Sequence, residues 1–310
     1  VRPALNTLAL IVLLALGVAR AGENGNPLIA PYQLPFYPFT PMSGSCNIGA
    51  RFMIANNLQG ETGDWGTISI NLEEWRLEFA LRQSIGALED QQFEVGAQFS
   101  LKALWGGILD VPLDAFHSLL GVGKNPDGQQ NQVLLYAQFG SGAPRQITDT
   151  TIGLGDPVLW IAGASPSDGF GTWFYKLQFQ LPLADASRYL GAGVGVFGGS
   201  VSYNAWNWGA TANLSVPLEG AKSIFEGTRV RPNLGFLVWY EPRFDFLPGF
   251  LRTFRLELSL VTNPFPISSR INTPALGIRI GFGGFGFSED ITPGPPDAIF
   301  DQRLEFGCPW

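Results

Sequence analysis

Few side chains in this 310-residue chain are reactive, and their spacing limits the chemistry they can support. His117 is the only histidine. It lies in the segment Gly106–Gly121, which reads Gly-Gly-Ile-Leu-Asp-Val-Pro-Leu-Asp-Ala-Phe-His-Ser-Leu-Leu-Gly. Asp110, Asp114 and His117 fall at i, i+4 and i+7. A short helix near 110–121 would carry all three on one face, with Leu113, Phe116 and Leu120 on another. Pro112 suits the first turn of such a helix. The trio would bind a metal or a cationic group; the plain alternative is that Asp114 and His117 hold loop backbone in place. Ser118 follows the histidine directly, and adjacent helical residues do not face each other, which spoils a serine–histidine pair. Gly-x-Ser-x-Gly, His-Glu-x-x-His and phosphate-binding glycine loops are absent. The glycines of Gly281–Gly286 sit in a strand-like run and read as relief of crowding. No cofactor motif occurs, so the chain reads as a non-enzyme without a cofactor, and a barrel-type lipid hydrolase is the weakest reading.

The two cysteines are Cys46, before the first expected strand, and Cys308, near the end of the chain. First and last strands of a closed barrel are neighbours, so an oxidising compartment would permit a Cys46–Cys308 bridge. Two independent thiols are the alternative, and two cysteines alone cannot make a metal site.

A larger set of charges repeats at period two. Arg76, Glu78, Arg82, Glu94, Lys102, Lys176, Arg255, Glu257 and Arg279 each lie at mid-strand, opposite an apolar face. Trp75, Leu77, Phe79 and Leu81 alternate with Arg76, Glu78 and Arg82; Trp173, Tyr175, Leu177 and Phe179 alternate with Lys176, Gln178 and Gln180. Strict alternation gives a strand one polar and one apolar face. About twelve such strands are expected, at 47–55, 66–72, 74–85, 91–103, 131–139, 147–161, 172–182, 189–198, 206–216, 230–240, 253–261 and 275–287, with Glu73-Glu74 as a tight turn. Many have the roughly 9 to 11 residues that a tilted transmembrane strand needs. Trp65, Trp105, Trp160, Trp173, Trp206 and Trp239 fall near strand ends, as interfacial aromatics do. The fold expected is an all-β, antiparallel transmembrane β-barrel with the charges above lining its lumen.

The flanking segments fit an exported barrel. Arg2, the apolar run Leu8–Val18 and the small residues of Ala19-Arg20-Ala21 read as a signal peptide over 1–21, too short to span a bilayer as a helix. Cleavage after Ala21 removes Arg2 and Arg20 and takes the net charge from −7 to −9, which argues against a nucleic-acid partner. Residues 22–46 form a proline-rich arm, 47–287 the barrel and 288–310 a tail. The tail ends with Leu304, Phe306, Cys308 and Trp310 at period two, similar to the C-terminal signal read by the barrel assembly machinery. That machinery, outer-membrane lipid and a small solute are the expected partners.

The Gly106–Gly121 segment resembles the Gly-Gly-x-Leu-Asp…Phe-His…Gly hallmark of a bacterial family labelled domain of unknown function 3187. Asn26-Pro27-Leu28, Gly153-Leu154-Gly155-Asp156 and Thr262-Asn263-Pro264 extend the resemblance from Asn26 to about Phe287. Lys124 stands where an arginine is expected after the histidine helix, and the tail is additional. The resemblance implies a single outer-membrane barrel and assigns no catalytic residue. The leading functional expectation is a channel or transporter for small or hydrophobic solutes, with the arm as a plug; a non-conducting scaffold of the envelope is the rival.

Overall fold

Period-two patterning commits most of the chain to strands, and the computed structural model arranges them as one antiparallel sheet. It describes residues 30–35, 46–88, 91–109, 111, 132–165, 169–218, 229–242, 254–262, 275–282, 285–291 and 300–307. Asp110, Asp114, His117, Cys308 and the signal segment lie outside these residues, as does the helix expected near 110–121 except Val111. No helix among the described residues is long and apolar enough to cross a membrane, so any crossing must be made by strands.

The strands are β1 (Cys46–Gly63), β2 (Gly66–Leu88), β3 (Gln91–Trp105), β4 (Leu134–Phe139), β5 (Arg145–Ile147), β6 (Thr151–Leu154), β7 (Val158–Ala164) and β8 (Gly171–Gln180). They continue as β9 (Val196–Ala205), β10 (Trp208–Pro217), β11 (Asn233–Tyr240), β12 (Phe254–Val261), β13 (Ala275–Phe282), β14 (Phe285–Ile291) and β15 (Phe300–Gly307). β1 pairs with β2, β2 with β3 and β3 with β7. Pairing then runs strand by strand from β7 to β15, and β15 pairs with β1. β4 pairs with the Gly66–Asn71 stretch of β2, β5 with β4, and β6 with Leu101–Leu104 of β3.

Three expectations change. The sheet has fifteen strands among the described residues, not about twelve. Glu73-Glu74 is no turn: β2 runs unbroken through it, and the turn falls at Asp64-Trp65. Residues 300–307, assigned to the tail, form β15 between β14 and β1. The unbroken β2 resets the direction of every later strand. The short connections 89–90, 165–170, 206–207 and 283–284, together with 241–253, thus share one end of the sheet with Cys46 and Gly307. The excursion 106–157 and the connections 181–195, 218–232, 262–274 and 292–299 lie at the other end.

The two faces are inverted relative to a soluble domain. Phe79, Phe99, Leu177, Phe197, Leu214 and Phe236 are exposed, while Arg51, Arg76, Glu78, Arg82, Glu94 and Arg279 are buried. Charged residues are almost never buried in water-soluble cores unless paired, and contiguous exposed apolar faces mark contact with something other than water. Trp173, Tyr203 and Trp208 stack outward near the short-connection end, with ring centroids 4.9 and 5.6 Å apart. Trp160 and Trp239 do not belong to that outward belt: both are buried on the charged face. If the apolar face meets lipid, Leu177→Arg is expected to destabilise the protein by about 2–4 kcal/mol in urea-induced unfolding from lipid vesicles. A water-exposed site would change by no more than about 0.5 kcal/mol.

Candidate functional site

All nine charges expected on the polar face are buried there, joined by Arg51 and Glu74. Cross-strand register explains how. Arg51 on β1 lies opposite Glu78 on β2, and its Nε donates to Glu78 Oε2 at 2.7 Å. Arg76, two residues along, donates from Nε to Glu74 Oε1 at 2.6 Å and from Nη1 to Glu78 Oε1 at 3.4 Å. Arg82 on β2 grips Glu94 on β3 through two bonds, Nε to Oε1 at 3.1 Å and Nη2 to Oε2 at 2.6 Å. On β12 and β13, Glu257 is ion-paired to both Arg255 and Arg279, and Arg255 reaches Glu241 at 2.6 Å. Bidentate pairing of this kind offsets the cost of burying charge without generating stability of its own.

The two inward tryptophans add cation–π contacts. Lys176 Nζ lies 4.7 Å from the Trp160 ring and the Arg255 guanidinium 4.9 Å from Trp239. Glycines leave room for these side chains: a Cβ on Gly96 would lie 2.2 Å from Trp160, and one on Gly286 would lie 2.4 Å from Arg279.

Toward the long-connection end the polar face gives way to an apolar core. Ile68, Ile70 and Leu72 of β2, Leu104, Leu135, Phe139, Val158 and Val196 are buried there together. Tyr32 and Leu34 of the proline-rich arm complete it, each fully buried. The arm is held by three hydrogen bonds from the wall. Gln180 Nε2 donates to the Pro31 carbonyl at 2.7 Å and Gln178 Nε2 to the Pro35 carbonyl at 2.9 Å. The Leu34 amide donates to Ser215 Oγ at 3.0 Å.

Asp156, from the Gly-Leu-Gly-Asp motif, ties the neighbouring 181–195 connection to this core. Its carboxylate accepts the amides of Ala184 at 2.8 Å and Ala192 at 2.7 Å, and the Gln180 side chain at 3.2 Å. Gly155 must be glycine because a Cβ would lie 2.2 Å from Ser100 Oγ. Within the connection, Ser187 donates twice to Asp185 and holds its carboxyl below the usual range. Burial pushes the Tyr189 phenol up from its ordinary value. A second carboxylate, Glu73, accepts the amides of Ile108 and Leu109 and the Trp75 indole. Gly107, at φ +68°, passes so close to Glu73 that a Cβ would overlap it. Gly107 of the hallmark segment thus has a backbone reason.

Of the residues singled out in the sequence, the nine charges are brought onto one face, whereas Asp110, Asp114, His117 and Cys308 lie outside the described residues. Among the described residues no three metal-ligating side chains cluster. Sequence reasoning passed over Gln178, Gln180, Ser215 and Asp156 as site residues. The first three alternate with apolar neighbours as the charges do, and that was their only signal.

A long antiparallel sheet with one exposed apolar face and one buried charged face, whose first and last strands pair, is the kind of fold that outer-membrane β-barrel channels have. The COG4313 outer membrane channel from Pseudomonas putida F1 shares it at a TM-score of 0.53 and 8% identity, over 87% of this chain and 96% of that one. A FadL homologue of Pseudomonas aeruginosa matches more loosely, at 0.41 and 9% identity over 94% and 98% of the two chains. No family model matches the chain, so the resemblance to domain of unknown function 3187 rests on its short motifs. No curated protein matches it in sequence either.

Removing the Asp156 carboxylate leaves buried amides without an acceptor, at about 1–3 kcal/mol for each unsatisfied group. Asp156→Ala is therefore expected to lower stability by about 3 kcal/mol and to open the 181–195 connection to protease. Asp156→Asn, which keeps one acceptor, should cost less than half as much.

Proposed function

We propose that the sheet closes as a barrel of twelve staves, β1–β3 and β7–β15, which spans the bacterial outer membrane and passes small or hydrophobic solutes. The observation that carries this reading is the inversion of the faces, with apolar side chains outside and a charged, ion-paired interior. Closure is supported by the unbroken run of ladders from β1 through β15 and back to β1, which leaves no stave with an unpaired edge. Most short connections, with the start of β1 and the end of β15, at one pole and most long connections at the other fit a periplasmic and an extracellular end, although the Asp64-Trp65 turn and the connection 241–253 depart from that pattern. In this reading β4, β5 and β6 are rim elements, and residues 30–35 plug the lumen from within. The likeness to the Pseudomonas putida channel, at low identity, is consistent with it.

A second reading, a non-conducting envelope scaffold, is favoured by one observation: the charges neutralise one another and the arm fills the apolar end. Planar-bilayer conductance separates the two. The full mature chain should conduct weakly, and Tyr32→Ser/Leu34→Ser, which loosens the arm, should raise the current at least fivefold. Both proteins should show a migration shift on a denaturing gel between boiled and unboiled samples. A shifted, folded protein that carries no current in either form would establish the scaffold instead.

A further inference from the structure

The contacts that hold the arm are unusual in what they read. Gln180 and Gln178, two residues apart on one strand, donate to the carbonyls of Pro31 and Pro35, and Ser215 takes the Leu34 amide. On the arm these three contacts fall on peptide backbone, while Gln180 also donates to Asp156 Oδ2 at 3.2 Å. Ser215 also receives Asn213 Nδ2 at 3.1 Å, which orients the hydroxyl toward the arm. Residues 31–35 are all buried, and of them Tyr32 and Leu34 enter the apolar core. A Cβ on Gly198 would lie 2.9 Å from Leu34 Cδ1, so the leucine socket is cut into the sheet by a glycine. Backbone hydrogen bonds that set affinity, with pockets for alternate side chains that set preference, are the general means by which proteins bind extended peptides.

From this geometry we infer that the seat is an oligopeptide-binding site, occupied in this chain by its own arm. Its ligand class is a short peptide that enters as a single 3-10 turn, as Ala30–Tyr32 does, and presents apolar side chains two residues apart with proline beside them. Proline at both ends of the seated stretch limits the conformational entropy lost on docking and leaves the carbonyls without competing amide partners in the arm. The inference rests on the channel reading, because a solute must reach the seat through the lumen. Peptides able to displace the arm would then be the solutes the barrel selects.

The test uses the full mature chain in detergent and a fluorescein-labelled peptide with the sequence of residues 28–37, read by fluorescence anisotropy. The host is Tyr32→Ser/Leu34→Ser, whose own arm competes poorly. The peptide is expected to bind this host at least tenfold more tightly than it binds the unsubstituted protein. Adding Gln178→Ala/Gln180→Ala should weaken that binding at least tenfold. A peptide carrying serine at the positions of Tyr32 and Leu34 should not compete. Equal binding of the serine peptide, indifference to the glutamine substitutions in a host that retains its heat-dependent gel shift, or no binding at all would overturn the site. Should the glutamine variant lose its fold, the serine peptide decides the matter alone. The anisotropy needs no current, so absent conductance with intact binding would sink the channel, and the reverse outcome only the peptide site.

Discussion

Strand-to-strand hydrogen bonding is the constraint on which the rest of this structure depends. A chain whose apolar side chains point outward cannot hide its backbone in a hydrophobic core, so each amide and carbonyl must find its partner in a neighbouring strand. The ladder from β1 to β15 and back provides this, and it holds a register in which like faces like across the sheet. Arg51 meets Glu78, and Glu257 meets Arg279, because antiparallel pairing places them directly opposite. A one-residue slip would move every charge to the apolar side, so the ion pairs and the ladder specify each other.

The interior is divided along its length. Near the short connections it is filled by guanidinium–carboxylate pairs and two tryptophans; near the long connections it is filled by aliphatic side chains and the arm. The apolar half cannot be completed by the wall alone. Tyr32 and Leu34 come from a segment that has no strand to join, and their seat depends on two glutamine donors on β8 and a serine acceptor on β10. Asp156 then fastens the 181–195 connection over the same region through Gln180, which it shares with the arm. Arm, wall and connection are thus linked through one glutamine side chain.

Much of the sheet was legible because alternation is a local property. Arg76, Glu78, Arg82 and Glu94 announce their face by their neighbours alone. What failed was parity. Glu73-Glu74 resembles a turn because two adjacent carboxylates break the alternation, yet both are buried within β2. Glu74 points to the charged side and meets Arg76, while Glu73 on the opposite side is satisfied by the amides of Ile108 and Leu109, which are far away in sequence. No local pattern could have revealed that partner. The error reversed the direction of every later strand. The tryptophans failed for a related reason: position near a strand end does not say which face a ring takes, and Trp160 turned inward toward Lys176.

The arm shows the same limit from the other side. Its prolines exclude a central strand, since they lack amide donors and fix φ, yet Ala30–Tyr32 closes one 3-10 turn through Pro31. Composition alone, however, cannot distinguish a loose leader from a seated one. What decides is the supply of donors on the receiving wall. A proline-rich segment offers carbonyls with few amides to balance them, so it can be buried only where side chains supply the missing donors. Gln178 and Gln180 do so at alternate positions of one strand, spaced to reach the carbonyls of Pro35 and Pro31. Glutamine donates there without adding a charge of its own, and Gln180 also meets the Asp156 carboxylate at 3.2 Å. The neutral amides of β8 and the proline content of the arm are therefore two halves of one solution, written some 140 residues apart.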